Sequence, residues 1–242
     1  MNTLEGFFDI HTHLLPGVDD GSATMEETIS MVKIALSQGI KTIIATPHYA
    51  VGRRNRSVEE LQKLREKVEQ EAKKLDENVR ILLGNELYYS DSIDQELNEK
   101  RALTLAGTRY VLVEFSFGEN YRSIYRGMDK LIHSGYIPIL AHVERYSHLY
   151  KRDELISELI KMGCYIQMNC NSLMGSILNG RAYYNRKLID SGMVHFLGSD
   201  CHDHRIRVPY MKKTVQMLKK KCDKDIVHQI VYENPCVFLE NA

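Results

Sequence analysis

Short runs of apolar, mostly β-branched or aliphatic residues alternate along this chain with segments of helical periodicity. Seven such runs predict strands, at residues 7–12, 40–46, 79–84, 110–115, 137–142, 164–169 and 193–198. The intervening segments carry helix signals, including candidate capping boxes at Thr24 with Glu27 and at Ser57 with Glu60. Repeated strand–helix units predict a parallel sheet with right-handed crossovers.

Carboxylate and imidazole side chains follow nearly every one of these runs. Nine of them are candidate metal ligands: His11, His13, Asp20, His48, Glu86, Glu114, His142, Asp200 and His202. The carboxyl ends of parallel strands converge on one rim when the sheet closes into a barrel. A rim of imidazoles and carboxylates predicts a cage for several divalent cations.

The same distribution favours a closed barrel over an open doubly wound sheet. In an open sheet, ligands gather at one switch point, often with a glycine-rich phosphate loop. Neither GxGxxG nor GxxxxGK[ST] occurs here, and polar residues end nearly every strand. We therefore expect one α/β domain over residues 1–242, an irregular TIM-like barrel of seven β/α units.

The composition indicates which binding partners and which cellular compartment to expect. Lys and Arg total 32, as do Asp and Glu, which gives no general attraction to nucleic acid or anionic lipid. Residues 1–8 lack the basic and apolar regions of a signal peptide, and no apolar run reaches the ~18 residues needed for membrane insertion. The five cysteines are scattered without CxxC spacing, which predicts a cytoplasmic protein without disulfides.

The ordered motifs resemble those of a known superfamily. DIHTHLLPGVDDG, TPHY, GNELYY, VLVEFS, AHVERY, QMNCNSLMG and GSDCH are similar to the motifs of the PHP (polymerase and histidinol phosphatase) superfamily. Within it, they resemble the bacterial metal-dependent protein-tyrosine phosphatases of capsular and exopolysaccharide loci. The resemblance runs from about residue 7 to 210 and implies a distorted (β/α)₇ barrel that holds three divalent ions. Manganese is the usual metal, and iron or zinc also suits such sites.

The resemblance also distributes the nine ligands among three ion sites. It assigns His11, His13 and Asp200 to one ion, Glu86 as the bridge to a second ion with Glu114 and His142, and Asp20, His48 and His202 to the third. Two phosphate-binding arginines are further implied, at Arg145 and Arg207. Arg205 is an alternative for the second, because the loop departs from the usual pattern.

This resemblance implies hydrolysis of phosphotyrosine by a metal-activated hydroxide. Adjacent cations neutralise the phosphoryl oxygens and lower the pKa of a bridging water, while the arginines hold the equatorial oxygens. The phenolate leaving group, whose pKa is near 10, needs little proton assistance, and either Asp19 or a metal-bound water could supply it. The implied partner is the C-terminal tail of a membrane-associated bacterial tyrosine kinase.

Several other functions stay open at this point. Cys201 and Arg207 have the C-x5-R spacing of cysteine-dependent phosphatases, but Asp200 beside the thiol disfavours a thiolate. A small-molecule phosphomonoesterase, such as a histidinol phosphatase, would use the same metal cage. An amidohydrolase-like hydrolase or a non-catalytic, metal-stabilised module are the remaining alternatives.

Overall fold

A computed structural model describes residues 6–176 and 178–239 of the chain. Residues 1–5, part of the segment expected to lack a signal peptide, lie outside the described residues. The described residues contain nine strands: β1 Phe7–Thr12, β2 Ile40–Ala45, β3 His48–Ala50, β4 Arg80–Leu83, β5 Glu86–Tyr88, β6 Tyr110–Glu114, β7 Ile137–Leu140, β8 Tyr165–Asn169 and β9 Phe196–Gly198. They form two parallel sheets, ordered β1–β2–β4 and β3–β5–β6–β7–β8–β9.

All seven predicted strands are present, and the two additional ones, β3 and β5, arise where a predicted strand is interrupted. Pro47 follows β2, and Gly84 with Asn85 follows β4. Proline has no N–H for a strand ladder, so the strand breaks and resumes in the second sheet. His48 then pairs with Glu86 across β3 and β5, which places both predicted ligands side by side.

The end of β1 is hydrogen-bonded to the segment that follows β9, so the first strand of one sheet meets the last strand of the other. The Asp200 N–H donates to the His11 carbonyl at 2.8 Å, and the His13 N–H donates to the Cys201 carbonyl at 2.9 Å. Thr12 and Cys201 form a parallel bridge between them. These bonds bring residues almost 190 positions apart in sequence to the same rim.

Helices lie between the strands, as the repeated pattern predicts. Their bounds are α1 Met25–Ser37, α2 Val58–Lys73, α3 Ile93–Asn98, α4 Tyr121–His133, α5 Asp153–Met162, α6 Gly180–Asp190, α7 Met211–Lys221 and α8 Lys224–His228. The Ser57–Glu60 capping box is confirmed in both directions. Thr24 also accepts from the Glu27 N–H, but the Glu27 carboxylate accepts from Ala23 instead, so only half of that box forms. The short α3 was not predicted.

The core has a large and a small part. The large part fills the space between helices and strands, where α2 buries Leu61 and Val68. The smaller part joins apolar side chains from several strands to the C-terminal turn, where Phe238 packs 5.5 Å from the ring centroid of Phe196. The chain from Pro209 onward therefore closes the fold. Among the described residues, no helix is long and apolar enough to cross a membrane.

His195, just before β9, is a partly buried histidine away from the predicted ligands. Its Nδ1 accepts the Ile166 N–H at 3.1 Å, and its ring packs on Tyr165. Burial lowers its pKa from 6.5 to about 4. A neutral imidazole is needed here, because a protonated Nδ1 would face the Ile166 N–H.

This environment predicts a pH-dependent loss of stability. The stabilisation is fully present above pH 6.5 and is lost as the pH falls from 6.5 towards 4, because the folded state resists protonation of His195. Between pH 7.5 and 5, wild type should lose roughly 1–2 kcal/mol more unfolding free energy than His195→Asn, which keeps an acceptor at the same position. Denaturant unfolding at both pH values measures this, with the exposed His133→Asn as control. Equal pH sensitivity of wild type and His195→Asn would contradict it.

Candidate metal centre

The nine predicted ligands lie together, at strand ends and at the two strand breaks. His11 lies in β1 and His13 just after it, Asp20 in the following turn, His48 and Glu86 at the starts of β3 and β5, Glu114 at the end of β6, His142 after β7, and Asp200 with His202 after β9. Most of these side chains are buried. Asp20 and His48 are the more accessible, with 65% and 38% of the side chain exposed.

Glu86 lies at the centre of the cluster and contacts four imidazoles. Its Oε2 is 3.2 Å from Nε2 of both His11 and His13, and 3.0 Å from Nδ1 of His48. Its Oε1 is 2.9 Å from Nε2 of His142. One carboxylate at 1% exposure therefore connects four imidazoles that come from β1, β3 and the end of β7.

Three groups of side chains are arranged closely enough to hold a metal ion, with donor atoms that all lie within 4.8 Å of one another. The groups are His11, His13 and Asp200; His48, Glu86 and Glu114; and His13, Asp20, His48 and His202. The first and third groups contain the sets implied by the resemblance, and the third adds His13. The His142 Nε2 lies 3.3 Å from Glu114 Oε1, beside the second group.

The arrangement of carboxylates and imidazoles in the cluster favours the binding of a cation. Burial by itself lowers the pKa of His142, but contacts with Glu114 and Glu86 raise it to about 9. The imidazole of His202 lies 3.9 Å from that of His13, and burial together with His13 lowers its pKa to about 4. Imidazoles this close repel one another when protonated, whereas neutral imidazoles and carboxylates together are typical ligands of divalent metals.

Asp19 orients the imidazole of His13 and holds the backbone of His48 rather than facing the cluster. Its Oδ2 is 2.7 Å from Nδ1 of His13 and accepts the His48 N–H at 3.0 Å. Although burial alone would raise its pKa, the contact with His13 lowers it to about 2. An ionised carboxylate behind a histidine is a poor general acid, so the interpretation of Asp19 in that role is disfavoured.

Asp20, by contrast, faces the cluster from the same turn. Its Oδ1 lies 3.4 Å from Nε2 of His48 and 3.5 Å from Nε2 of His202. Gly21 makes the turn possible, because a Cβ there would lie 2.2 Å from the His13 carbonyl oxygen. The glycine therefore lets the turn fold back directly onto His13.

The backbone is in the left-handed region at two of the strand ends. His142 has φ 34° and Asp200 has φ 52°. Non-glycine residues adopt such angles rarely, and they tend to occur at functional sites where the surrounding structure holds them. Both residues turn out of their strands at this point, towards the shared cluster.

Both predicted arginines contact Asp200. Arg145 pairs with Oδ2, and Nη2 of Arg207 lies 2.8 Å from Oδ1. Arg205 instead donates from Nε to the ring of His204 at 3.0 Å. Of the two candidates in this loop, Arg207 is the one that lies against the cluster.

Cys201 lies at the rim, but its surroundings do not suit a nucleophile. It is 3% exposed, and its Sγ donates to the Asp203 carbonyl at 3.4 Å. Burial, and then the nearby Asp9 and Asp203, raise the pKa of its thiol. The thiolate that C-x5-R chemistry requires is therefore disfavoured.

The nine predicted ligands do not include several buried polar residues that lie behind them. The Asp9 carboxylate accepts the Ser199 N–H at 2.8 Å, which anchors the loop after β9 to β1. Gln167 and Asn169, in β8, contact His11 and Asp200. The available signal was the presence of polar residues inside a predicted strand.

The chain is similar to known proteins along almost its whole length. A family model described as "Capsular polysaccharide synthesis, CpsB/CapC" matches residues 7–240. The tyrosine-protein phosphatase CpsB of Streptococcus agalactiae serotype III (strain NEM316) is 31% identical over 238 residues, covering 96% of this chain and 98% of that protein.

Solved structures agree with the sequence matches. The crystal structures of YwqE from Bacillus subtilis and CpsB from Streptococcus pneumoniae, described as metal-dependent tyrosine phosphatases, match with a TM-score of 0.88 and 27% identity, covering 97% of this chain and 95% of that one. A phosphotriesterase homology protein from Escherichia coli matches with a TM-score of 0.65 and 12% identity over 98% and 99%, which shows a shared fold alone. The chain belongs to the CpsB/CapC family of capsular polysaccharide synthesis proteins.

Proposed function

We propose that this protein is a metal-dependent protein-tyrosine phosphatase that acts in capsule or exopolysaccharide synthesis. The observation that carries the proposal is the convergence of nine carboxylates and imidazoles on one rim, with two arginines beside them. Relatives that cover nearly the whole chain are named tyrosine-protein phosphatases. The full set of donors argues against a non-catalytic module.

The two sheets and the bonds between β1 and the loop after β9 support a single domain shaped as a distorted (β/α)₇ barrel. In this arrangement, β2 with β3 and β4 with β5 each act as one interrupted barrel strand. All nine donors then belong to one rim, as active-site residues do in barrel enzymes.

We assign three ions to these donors. His11, His13 and Asp200 would hold one ion, Glu86 would bridge it to a second held by Glu114 and His142, and Asp20, His48 and His202 would hold the third. Manganese is the metal we expect, because mixed oxygen and nitrogen donors suit it, although iron and zinc suit them also. Bound divalent ions supply charge neutralisation of the phosphoryl oxygens and a water of lowered pKa.

The remaining chemistry belongs to the side chains of this protein. Arg145 and Arg207 each contact Asp200 and are about one-third exposed, so their other N–H groups are free to hold phosphoryl oxygens. The buried imidazoles and carboxylates exclude water from the far side of the cluster. A phenolate leaves without strong proton assistance, so the low pKa of Asp19 does not hinder the reaction.

Phe117 is the aromatic side chain best placed to meet the tyrosine ring. It is 46% exposed, its ring centroid lies 5.6 Å from that of His142, and the Arg145 guanidinium lies 5.6 Å from it. An exposed ring between a ligand and a phosphate-binding arginine favours an aryl ester, because aromatic rings stack or meet edge to face. The expected partner is a phosphorylated tyrosine-kinase tail in the cytoplasm.

The substrate class is tested by comparing two phosphate esters at equal metal concentration. We expect kcat/KM for a phosphotyrosine peptide to exceed that for histidinol phosphate by at least about tenfold, because the phenolate is the better leaving group and has an aromatic contact. Steady-state release of phosphate measures both. A preference for histidinol phosphate would make the chain a small-molecule phosphatase.

The dependence on metal is tested against the cysteine alternative. Removing metal with EDTA should lower kcat by at least about 100-fold, and Mn²⁺ should restore it, because no charged nucleophile remains. Cys201→Ser, which retains a buried donor, should stay within about threefold of wild type, since loss of a true nucleophile costs far more. Inactivity of the serine variant with bound metal would reject this mechanism.

The second phosphate-binding arginine is distinguished by paired variants. Arg207→Ala should lower kcat/KM by roughly 10- to 100-fold, because a charge-assisted hydrogen bond to the phosphoryl group is lost. The matched control Arg205→Ala lies in the same loop and contacts His204. A larger loss from Arg205→Ala than from Arg207→Ala would reverse the assignment.

A further inference from the structure

Strand β8 contributes none of the nine predicted ligands, yet two of its buried polar side chains contact them. Gln167 and Asn169 lie two positions apart in β8 and therefore share one face of the strand. Their exposed fractions are 0% and 1%. Buried amides need hydrogen-bond partners, because an unpaired one is costly. Here the partners are members of the metal centre.

The side-chain carbonyl oxygen of Gln167 contacts two of the predicted ligands. The backbone N–H of His142 donates to Oε1 at 2.7 Å, and Nδ1 of His11 lies 3.3 Å from the same atom. The backbone N–H is always a donor, so it determines which end of the amide is the oxygen. An oxygen facing His11 requires the proton on Nδ1, which leaves the lone pair of Nε2 directed at Glu86 and Asp200.

Asn169 connects Gln167 to a third predicted ligand, Asp200. Nε2 of Gln167 donates to Oδ1 of Asn169 at 2.9 Å, and Nδ2 of Asn169 donates to Oδ2 of Asp200 at 2.9 Å. The orientation of the second amide thus follows from that of the first. A continuous chain of donors runs from His11 through Gln167 and Asn169 to Asp200.

The packing around Gln167 allows little other movement. A Cβ at Gly198 would lie 2.8 Å from Nε2 of Gln167 and 2.7 Å from Cβ of His11. The glycine of β9 therefore lets the amide and the imidazole approach each other closely. Backbone and side chains hold the amide in one position.

We propose that Gln167 and Asn169 are positioning residues for the first ion site, which set the tautomer of His11 and the orientation of Asp200 so that both bind a divalent cation. This inference rests on the metal centre of the proposed function and extends it to residues that touch neither metal nor substrate. Partners of this kind hold ligands in their binding geometry, and their loss typically weakens metal affinity about 10- to 100-fold.

The test measures Mn²⁺ affinity by calorimetric titration of metal-free full-length protein. Gln167→Met and Asn169→Leu remove the amides at similar volume, and each should weaken the tightest Mn²⁺ site by about 10- to 100-fold. The double variant should lose less than the product of the two single losses, because both residues act in one chain. Asn185→Leu is the matched control: Asn185 is a buried asparagine of α6 that donates to the Ser172 carbonyl at 2.9 Å, outside the site.

Asn185→Leu should lower thermal stability while leaving the Mn²⁺ dissociation constant within about threefold of wild type. Wild-type affinity in both Gln167→Met and Asn169→Leu would overturn the inference and leave the proposed phosphatase function intact. Conversely, absence of Mn²⁺ binding by wild type would overturn the metal centre itself. Should the β8 variants fail to fold, ¹⁵N spectra of wild-type protein loaded with Zn²⁺ decide the matter: an Nε2–H tautomer at His11 would overturn the inference.

Discussion

The carboxylate of Glu86, buried among four imidazoles, is the interaction on which the rest of the centre depends. Burial alone would raise its pKa, but the neighbouring histidines hold the pKa well below its usual value. A buried charge is tolerated only when it is paired. The rim therefore has to bring imidazoles from β1, β3 and the end of β7 to one point, and the irregular features of the fold serve that requirement.

Those irregular features lie where the ligands are. The breaks at Pro47 and at Gly84–Asn85 create the short strands that place His48 beside Glu86. The left-handed backbone at His142 and Asp200 turns two more ligands out of their strands. Such conformations persist when surrounding contacts over-determine them, and here the ladder bonds from β1 to the loop after β9 supply part of that restraint.

Behind the ligands lies a layer of polar groups with a different task. Asp9 anchors the loop after β9, Asp19 orients the imidazole of His13 and holds the backbone of His48, and the amides of β8 connect His11 to Asp200. Each is buried or nearly so and accepts or donates more than one hydrogen bond. A ligand whose other ring nitrogen is held in this way loses little freedom when it binds a cation.

The sequence by itself determined the seven strands, the main helices and the identity of the nine candidate ligands. Local patterns carry that information, since β-branched runs, capping residues and strand-end polar residues depend on near neighbours in the chain. The ordered motifs also identified the superfamily, and the family match agrees with it.

Only the tertiary structure decided which contacts those residues make. Asp19 and Asp20 are adjacent and chemically identical, yet one orients the imidazole of a ligand while the other faces the cluster. Arg205 and Arg207 likewise differ in that only Arg207 contacts the cluster. Gln167 gains its role from a histidine 156 positions earlier in the chain. Such distinctions depend on side-chain direction and on partners that are distant in sequence, which no local pattern encodes.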